Sequence, residues 1–239
     1  MAALGDVDAM ILCGGLGTRL RSAIGRRQKV AAEVGGKPFL ILQLERLQRA
    51  GVKRVILAAG FGADDVEQAA LDADLGLETV MVRESEPLGT GGAIKYAGDA
   101  VQSKECLILN GDCFCPVDLS AFVSAHRRRK ALVSLVASRM PDPRDYGTVL
   151  FDDDDRVRGF LEKDPDRTEA GWVNAGIYCF SRKAFMMMPE KDRFSVEHDF
   201  FPEILERRVF GYRVENEIFD IGTPERFARA QEIFKKGIT

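Results

Sequence analysis

At 239 residues, 46% hydrophobic and 30% charged, the chain is long enough for one large α/β domain with a core of its own. A formal net charge of −3 leaves no basic footprint and excludes nucleic acid as the principal partner. Apolar runs stop at strand length and the first residues carry neither a charged leader nor an apolar stretch, so no membrane span and no signal peptide are expected.

Through the first half, strand-like runs alternate with amphipathic helical stretches. Val7–Cys13 reads as a strand, Phe39–Ala50 as a helix with Leu40, Leu44 and Leu47 on one face, and Arg54–Ala59 as a strand. A helix over Asp64–Leu71, a strand over Leu77–Val82 and a helix over Thr90–Val101, capped by Thr90, follow. Cys106–Asn110 and Ala131–Ser138 read as strands on either side of a helix from Leu119 to about Arg128. This alternation predicts βαβ units and a largely parallel sheet covered on both faces.

The second half loses that rhythm. Tyr146–Phe151 and Arg156–Glu162 flank four consecutive aspartates, the pattern of a hairpin with an acidic turn. Asn174–Phe180 is a further strand, Ser195–Arg207 a helix, and Val209–Val214 and Glu217–Ile221 short strands. Thr223-Pro224 opens a terminal helix, with threonine as the cap and proline at the first helical position. Neither repeats nor low-complexity segments interrupt this order. One domain is expected, with a nucleotide half over about 1–115 and an acceptor half over about 116–239.

Five cysteines are scattered without a Cys-x-x-Cys pair, and the close pair Cys113 and Cys115 has no histidine nearby to complete a zinc site. A reduced, cytoplasmic protein follows. Neither His126 nor His198 is assigned to catalysis, Arg127 to Lys130 reads as a solvated helix end, and Met186 to Met188 as core filler.

The chemistry concentrates at strand ends. Gly14, Gly15 and Gly17 follow the first strand and let backbone N–H groups approach a ligand, while Arg19 adds a planar cation suited to phosphate oxygens. The loop lacks the Lys-Ser/Thr of a Walker A motif and the third glycine of a dinucleotide fingerprint. By itself it is a polyphosphate loop or a glycine-rich surface turn. Asp112 and Asp220 each end an apolar run and together could converge on Mg²⁺, although a lone aspartate there is more often a cap. Glu86 to Ala93 forms a second glycine-rich loop that would let backbone approach a base or ribose. Lys29 and Lys163 are further phosphate cations, with Glu162 placed to hold sugar hydroxyls. Tyr146-Gly147-Thr148 and Asn174-Ala175-Gly176 pair small residues with hydrogen-bonding groups, as a polyhydroxylated ligand requires.

In order, Leu12-x-Gly14-Gly15-x-Gly17-Thr18-Arg19-Leu20, Lys29, Lys37-Pro38-Phe39-Leu40, Glu86-Pro87-Leu88-Gly89-Thr90-Gly91-Gly92-Ala93, Asn110-Gly111-Asp112, Tyr146-Gly147-Thr148, Glu162-Lys163, Asn174-Ala175-Gly176 and Asp220-Ile221-Gly222-Thr223-Pro224 resemble the sugar-1-phosphate nucleotidyltransferases. Within that family the chain is most similar to the guanylyltransferases of D-glycero-α-D-manno-heptose 1-phosphate, through the Pro87 to Ile94 loop and the Asn110 to Phe114 segment. The resemblance implies a Rossmann-like three-layer sandwich with a mixed, mostly parallel sheet. It implies transfer of GMP from GTP to the heptose 1-phosphate, with Mg²⁺, for bacterial surface glycan synthesis. By the same similarity, Leu12, Gly14, Gly15, Gly17, Thr18, Glu86, Pro87, Gly89, Thr90, Gly91, Asn110 and Gly111 would bind nucleotide. Tyr146, Gly147, Glu162, Lys163 and Asn174 would bind the sugar phosphate, Asp112 and Asp220 the metal, and Arg19 and Lys29 would be catalytic. The family's lysine stands between prolines, whereas here it is Gln28-Lys29-Val30, which questions the stiffness of that segment. A nucleotidyltransferase for another sugar 1-phosphate and a non-catalytic nucleotide-sugar-binding regulator remain as alternatives.

Overall fold

The computed structural model describes residues 3–15, 17–25, 27–161, 164, 166 and 169–236. The first half holds β1 (Asp8–Leu12), α1 (Arg21–Ile24), β2 (Glu33–Val34), β3 (Lys37–Pro38), α2 (Phe39–Arg49), β4 (Arg54–Ala59), α3 (Ala63–Asp72), β5 (Glu78–Arg83), α4 (Gly89–Gly98), β6 (Glu105–Asn110) and β7 (Cys113–Phe114). Next come α5 (Leu119–Arg128), β8 (Val133–Met140), β9 (Thr148–Phe151), β10 (Val157–Leu161), β11 (Gly171–Ser181), α6 (Arg182–Met186), α7 (Phe201–Ile204), β12 (Val209–Val214), β13 (Phe219–Asp220) and α8 (Pro224–Lys235).

The central sheet is mixed and mostly parallel. β5, β4, β1 and β6 are parallel neighbours, as the βαβ alternation requires, and β12 runs parallel to β8. β11 pairs antiparallel with both β6 and β8, which makes it the strand that joins the halves. Successive strand residues point to opposite faces. Accordingly Ala9, Ile11, Leu107 and Leu109 pack beneath Leu40, Leu44, Leu47, Phe122 and Val123 of α2 and α5. Met10, Ile56 and Ile108 face Ile94 and Ala97 of α4, with Phe200, Phe201 and Ile204 closing that layer.

A third cluster wedges α8 against the sheet's ligand-facing end, with Phe39, Phe114 and Phe219 each 5.3–6.0 Å from the Phe234 ring, edge-on. Fully burying one such ring contributes about 1.5–3 kcal/mol, so the short β7–β13 ladder is held by packing more than by its own hydrogen bonds. No helix among the described residues is long and apolar enough to cross a membrane.

Several elements differ from expectation. The helix expected over Ser195–Arg207 is two short pieces, a π-helical turn at Val196–Phe200 and α7, with Ser195 capping the Glu197 and His198 amides. Pro202 interrupts the register by lacking an N–H to donate. The strand over Glu217–Ile221 shrinks to β13, because its partner β7 offers only two residues. The acidic turn is confirmed, with Asp155 in the left-handed region at φ 62° and Asp152 accepting from the Asp154 and Arg156 amides. Of the three methionines read as filler only Met188 is buried; Met186 is 81% exposed at the end of α6.

Candidate functional site

The site begins where β1 and β6 end side by side, Leu12 level with Asn110. The Gly111 amide donates to the Leu12 carbonyl at 3.0 Å, and a Cβ on Gly111 would lie 2.6 Å from that oxygen. Only glycine permits this approach. Gly15 and Gly17 have positive φ, 117° and 54°, and Gly14 and Gly15 are exposed. Leu20 anchors the short 3-10 turn Thr18–Leu20 in the core, which leaves Thr18 and Arg19 outside. Arg19 makes no hydrogen bond or ion pair among the described residues, and its Nη2 would lie 3.9 Å from a Cβ on Gly222. An unpaired guanidinium therefore stands between the first loop and the Asp220 turn.

Gln28 supplies the stiffness that the missing prolines left in question. It is 1% exposed; its amide group donates to the Cys13 carbonyl and, at 3.4 Å, to the Gly15 carbonyl, while Oε1 accepts from the Val30 amide at 2.7 Å. Its own backbone N–H donates to Asp65 at 3.1 Å. One buried side chain thus fixes the glycine loop to the segment that carries Lys29.

Lys29 forms a salt bridge with Asp112. Across the β7–β13 ladder Asp220 stands opposite Cys113, and the Ile221 amide donates to the Asp112 carbonyl at 3.1 Å. Asp220, 9% exposed, accepts from the Tyr146 hydroxyl at 2.8 Å, from the Gly222 amide at 2.9 Å and from Arg226 at 3.1 Å. Burial and the Asp220 charge push the Tyr146 phenol above its ordinary range, so this hydroxyl stays a donor. Burial and the same two aspartates raise the Cys113 thiol, which keeps it neutral. Among the described residues no cluster of three His, Cys, Asp or Glu side chains forms a protein-only metal cage. Two carboxylates at this ladder, Asp220 on it and Asp112 just before it, fit a hard cation that takes its remaining ligands from phosphates and water.

The second loop is arranged differently from its reading. Glu86 and Pro87 are exposed, while Glu84, at the end of β5, turns inward. Its Oε1 would lie 3.2 Å from a Cβ on Gly14 and is buried without a hydrogen-bond partner among the described residues, while its Oε2 accepts from the Leu88 amide at 3.4 Å. Burial raises the Glu84 carboxyl above its usual range. Thr90 is not a helix cap. α4 starts one residue earlier, at Gly89, and the Gly91 and Gly92 amides are satisfied by the Phe194 carbonyl at 2.9 and 3.2 Å. A Cβ on Gly91 would fall 2.3 Å from the Phe194 ring, so this glycine serves close packing of the 192–196 segment.

The Thr90 hydroxyl instead donates to Glu197 at 2.8 Å. The same carboxylate accepts from the Tyr178 hydroxyl at 2.9 Å, and that hydroxyl accepts from Asn174 at 2.8 Å. Asn174 in turn accepts from the Gly176 amide at 3.1 Å and its own amide reaches the Gly147 carbonyl at 3.5 Å. A continuous polar chain therefore connects the second loop with the acceptor half. Asn110 lies alongside, its Oδ1 buried without a partner among the described residues. Glu162 and Lys163 lie outside the described residues.

The sequence reading missed Glu84, Gln28, Arg226, Tyr178 and Glu197. Glu84 carries the same strand-end signal that singled out Asp112 and Asp220. Glu197 has one local partner, Ser195, but the bonds that tie it to the second loop and to Tyr178 reach 107 and 19 positions away.

The nucleotidyl transferase family model matches residues 8–237. The mannose-1-phosphate guanylyltransferase of Mycobacterium tuberculosis is 36% identical over 98% of this chain, which spans 66% of that protein's length. The D-glycero-alpha-D-manno-heptose 1-phosphate guanylyltransferase of Aneurinibacillus thermoaerophilus is 34% identical, with 95% of this chain and 97% of that protein covered. The crystal structure of HddC from Yersinia pseudotuberculosis complexed with GMP-PN superposes with a TM-score of 0.85 at 33% identity, covering 96% of this chain and all of that one. The architecture is the Rossmann-like one of the nucleotide-diphospho-sugar transferases, and the chain belongs to the nucleotidyl transferase family.

Proposed function

We propose that this chain transfers GMP from GTP to D-glycero-α-D-manno-heptose 1-phosphate, releasing pyrophosphate and giving a GDP-heptose for bacterial surface glycan synthesis. The names of two relatives and the guanine nucleotide of the HddC complex support the class of reaction. The single observation that carries the base is Glu84. Guanine presents two adjacent donors, N1–H and the 2-amino group, which match the two oxygens of one carboxylate; uracil and thymine present a single N3–H. A carboxylate with an unpaired oxygen at the ends of β1 and β5 suits guanine.

The reaction is an in-line attack by a phosphate oxygen of the sugar 1-phosphate on the α-phosphorus, with pyrophosphate leaving. Two anions must meet, so positioning and charge compensation are the main tasks and no protein nucleophile is needed. Arg19, unpaired beside Gly222, and Lys29, held on Asp112, are the cations for the triphosphate, with the amides of Gly14, Gly15 and Gly17 around it. Asp112 and Asp220 would hold Mg²⁺, which when bound offsets charge on the α-phosphate and the leaving group. Gly147, Asn174, Glu162 and Lys163 would receive the sugar phosphate, with Tyr146 bracing Asp220 at its edge. Five free thiols, four of them buried, support a reducing, cytoplasmic setting.

Mannose 1-phosphate is the second reading, favoured by the 36% identity to the M. tuberculosis enzyme. The test is kcat/KM for heptose 1-phosphate and mannose 1-phosphate, each with GTP, UTP, CTP and dTTP, by pyrophosphate release. GTP with the heptose is the expected best pair. Preference for another base overturns the Glu84 assignment, and faster turnover of mannose 1-phosphate overturns the sugar.

A further inference from the structure

At the opposite end of the sheet, where β6 and β8 begin and β11 ends, lies a cavity of about 670 Å³. The five steps of β6 from Glu105 on its wall to Asn110 at the substrate site separate the two by roughly 17 Å. Its walls carry six cations against two carboxylates, Glu105 and Glu206, in a chain whose net charge is −3. Arg127 is compensated by Asp6 and Glu105. Lys130, Arg156, Lys183 and Arg207 form no ion pair among the described residues, and Arg208 donates only to the neutral Lys130 and Arg129 carbonyls.

The crowding is specific. Beside the cavity, Arg129 and two of its lining residues, Arg156 and Arg208, stand 4.8, 5.5 and 5.8 Å from the centroid of one ring, Phe210, and among the described residues only Arg129 of the three has a carboxylate partner, Asp155. Of the run Arg127 to Lys130, read from sequence as a solvated helix end, Arg127 and Lys130 line the cavity while Arg128 is exposed. Like charges repel at these separations unless an anion lies among them. Leu132 and Met187, the latter 37% exposed, add an apolar wall beside the cations.

We infer that this cavity binds a nucleoside diphosphate, with the two phosphoryl groups among the unpaired cations and the base against Leu132 and Met187. The volume lies in the range of small-molecule sites, the excess of cations calls for more than one phosphoryl charge, and the apolar wall calls for a flat body attached to it. Its position excludes overlap with the triphosphate loop.

Hydrogen–deuterium exchange of the full chain titrated with GDP tests the inference. Exchange is expected to slow both around the β1 loop and, separately, in the cavity segments 129–133 and 206–209. In a Lys183→Glu/Arg207→Glu variant, both sites being exposed, the cavity segments should need about tenfold more GDP or lose protection, while the β1 loop response and turnover are retained. Inorganic pyrophosphate should protect the cavity segments more weakly than GDP. Absence of GDP protection there, survival of protection in the charge-reversed variant, or equal protection by pyrophosphate overturns the inference. So does protection of those segments by a single-stranded oligonucleotide but not by GDP.

Discussion

Asp220 and Asp112, 108 positions apart, meet at the end of one two-rung ladder, where Asp220 faces Cys113 and the Ile221 amide holds the carbonyl of Asp112 just before it. Each carboxylate already has its own cation, Lys29 for the first and Arg226 for the second. Each carboxylate charge is thus compensated within the protein.

If one ion serves both, Asp112→Asn should lower kcat at least about a hundredfold, on the order of 3 kcal/mol. Asp220→Asn should lose as much activity and also some stability, because Asp220 accepts from Tyr146, Arg226 and the Gly222 amide. The double variant should be little worse than either single one. Full additivity in steady-state kinetics would falsify the shared site.

The two lysines should separate kinetically. Lys29→Ala removes charge beside the triphosphate and should depress kcat with a small change in sugar-phosphate KM. Lys163→Ala should raise that KM and leave nucleotide affinity intact. Calorimetry that shows Lys163→Ala weakening nucleotide binding alone would reverse the assignment of the two halves.

Glu84→Gln replaces two acceptors by one acceptor and one donor. We expect kcat/KM for GTP to fall roughly 10–100-fold, the value of a lost charge-assisted hydrogen bond, and UTP to gain relative to GTP. An unchanged GTP/UTP ratio would remove Glu84 from base recognition.

His126 provides the pH prediction. It is 3% exposed, bonded to Ser134 at 2.9 Å, and burial with the Arg127 charge lowers its pKa from 6.5 to about 4. The unfolded chain therefore binds the extra proton first. Stability from this group is complete above pH 6.5, falls as pH drops from 6.5 to 4, and changes no further below, a loss of roughly 3 kcal/mol. Denaturant unfolding at pH 7.5 and 4.5 should show a smaller pH difference in His126→Gln than in the parent. Equal differences would mean that other groups carry the acid sensitivity.

The alternating pattern of β1, β4, β6 and their helices was legible in the sequence because both periodicities are local properties of the chain, enforced residue by residue by burial on one face. The glycines after Leu12 stood out in the sequence as room for a ligand, whereas the close approach that leaves only glycine at position 111, 2.6 Å from the Leu12 carbonyl, appeared only in the structure. Tertiary structure alone decided that Thr90 bonds Glu197 and not its own helix, because the Phe194 carbonyl had already taken the amides a cap would serve. It alone decided that Gln28 ties the glycine loop to the Lys29 segment, that Arg226 steadies Asp220, and that Arg127 and Lys130 at the end of α5 line a cavity. Such relations depend on which distant side chains share a small volume, and hydrogen-bond complementarity across a hundred residues leaves no periodic trace in the chain.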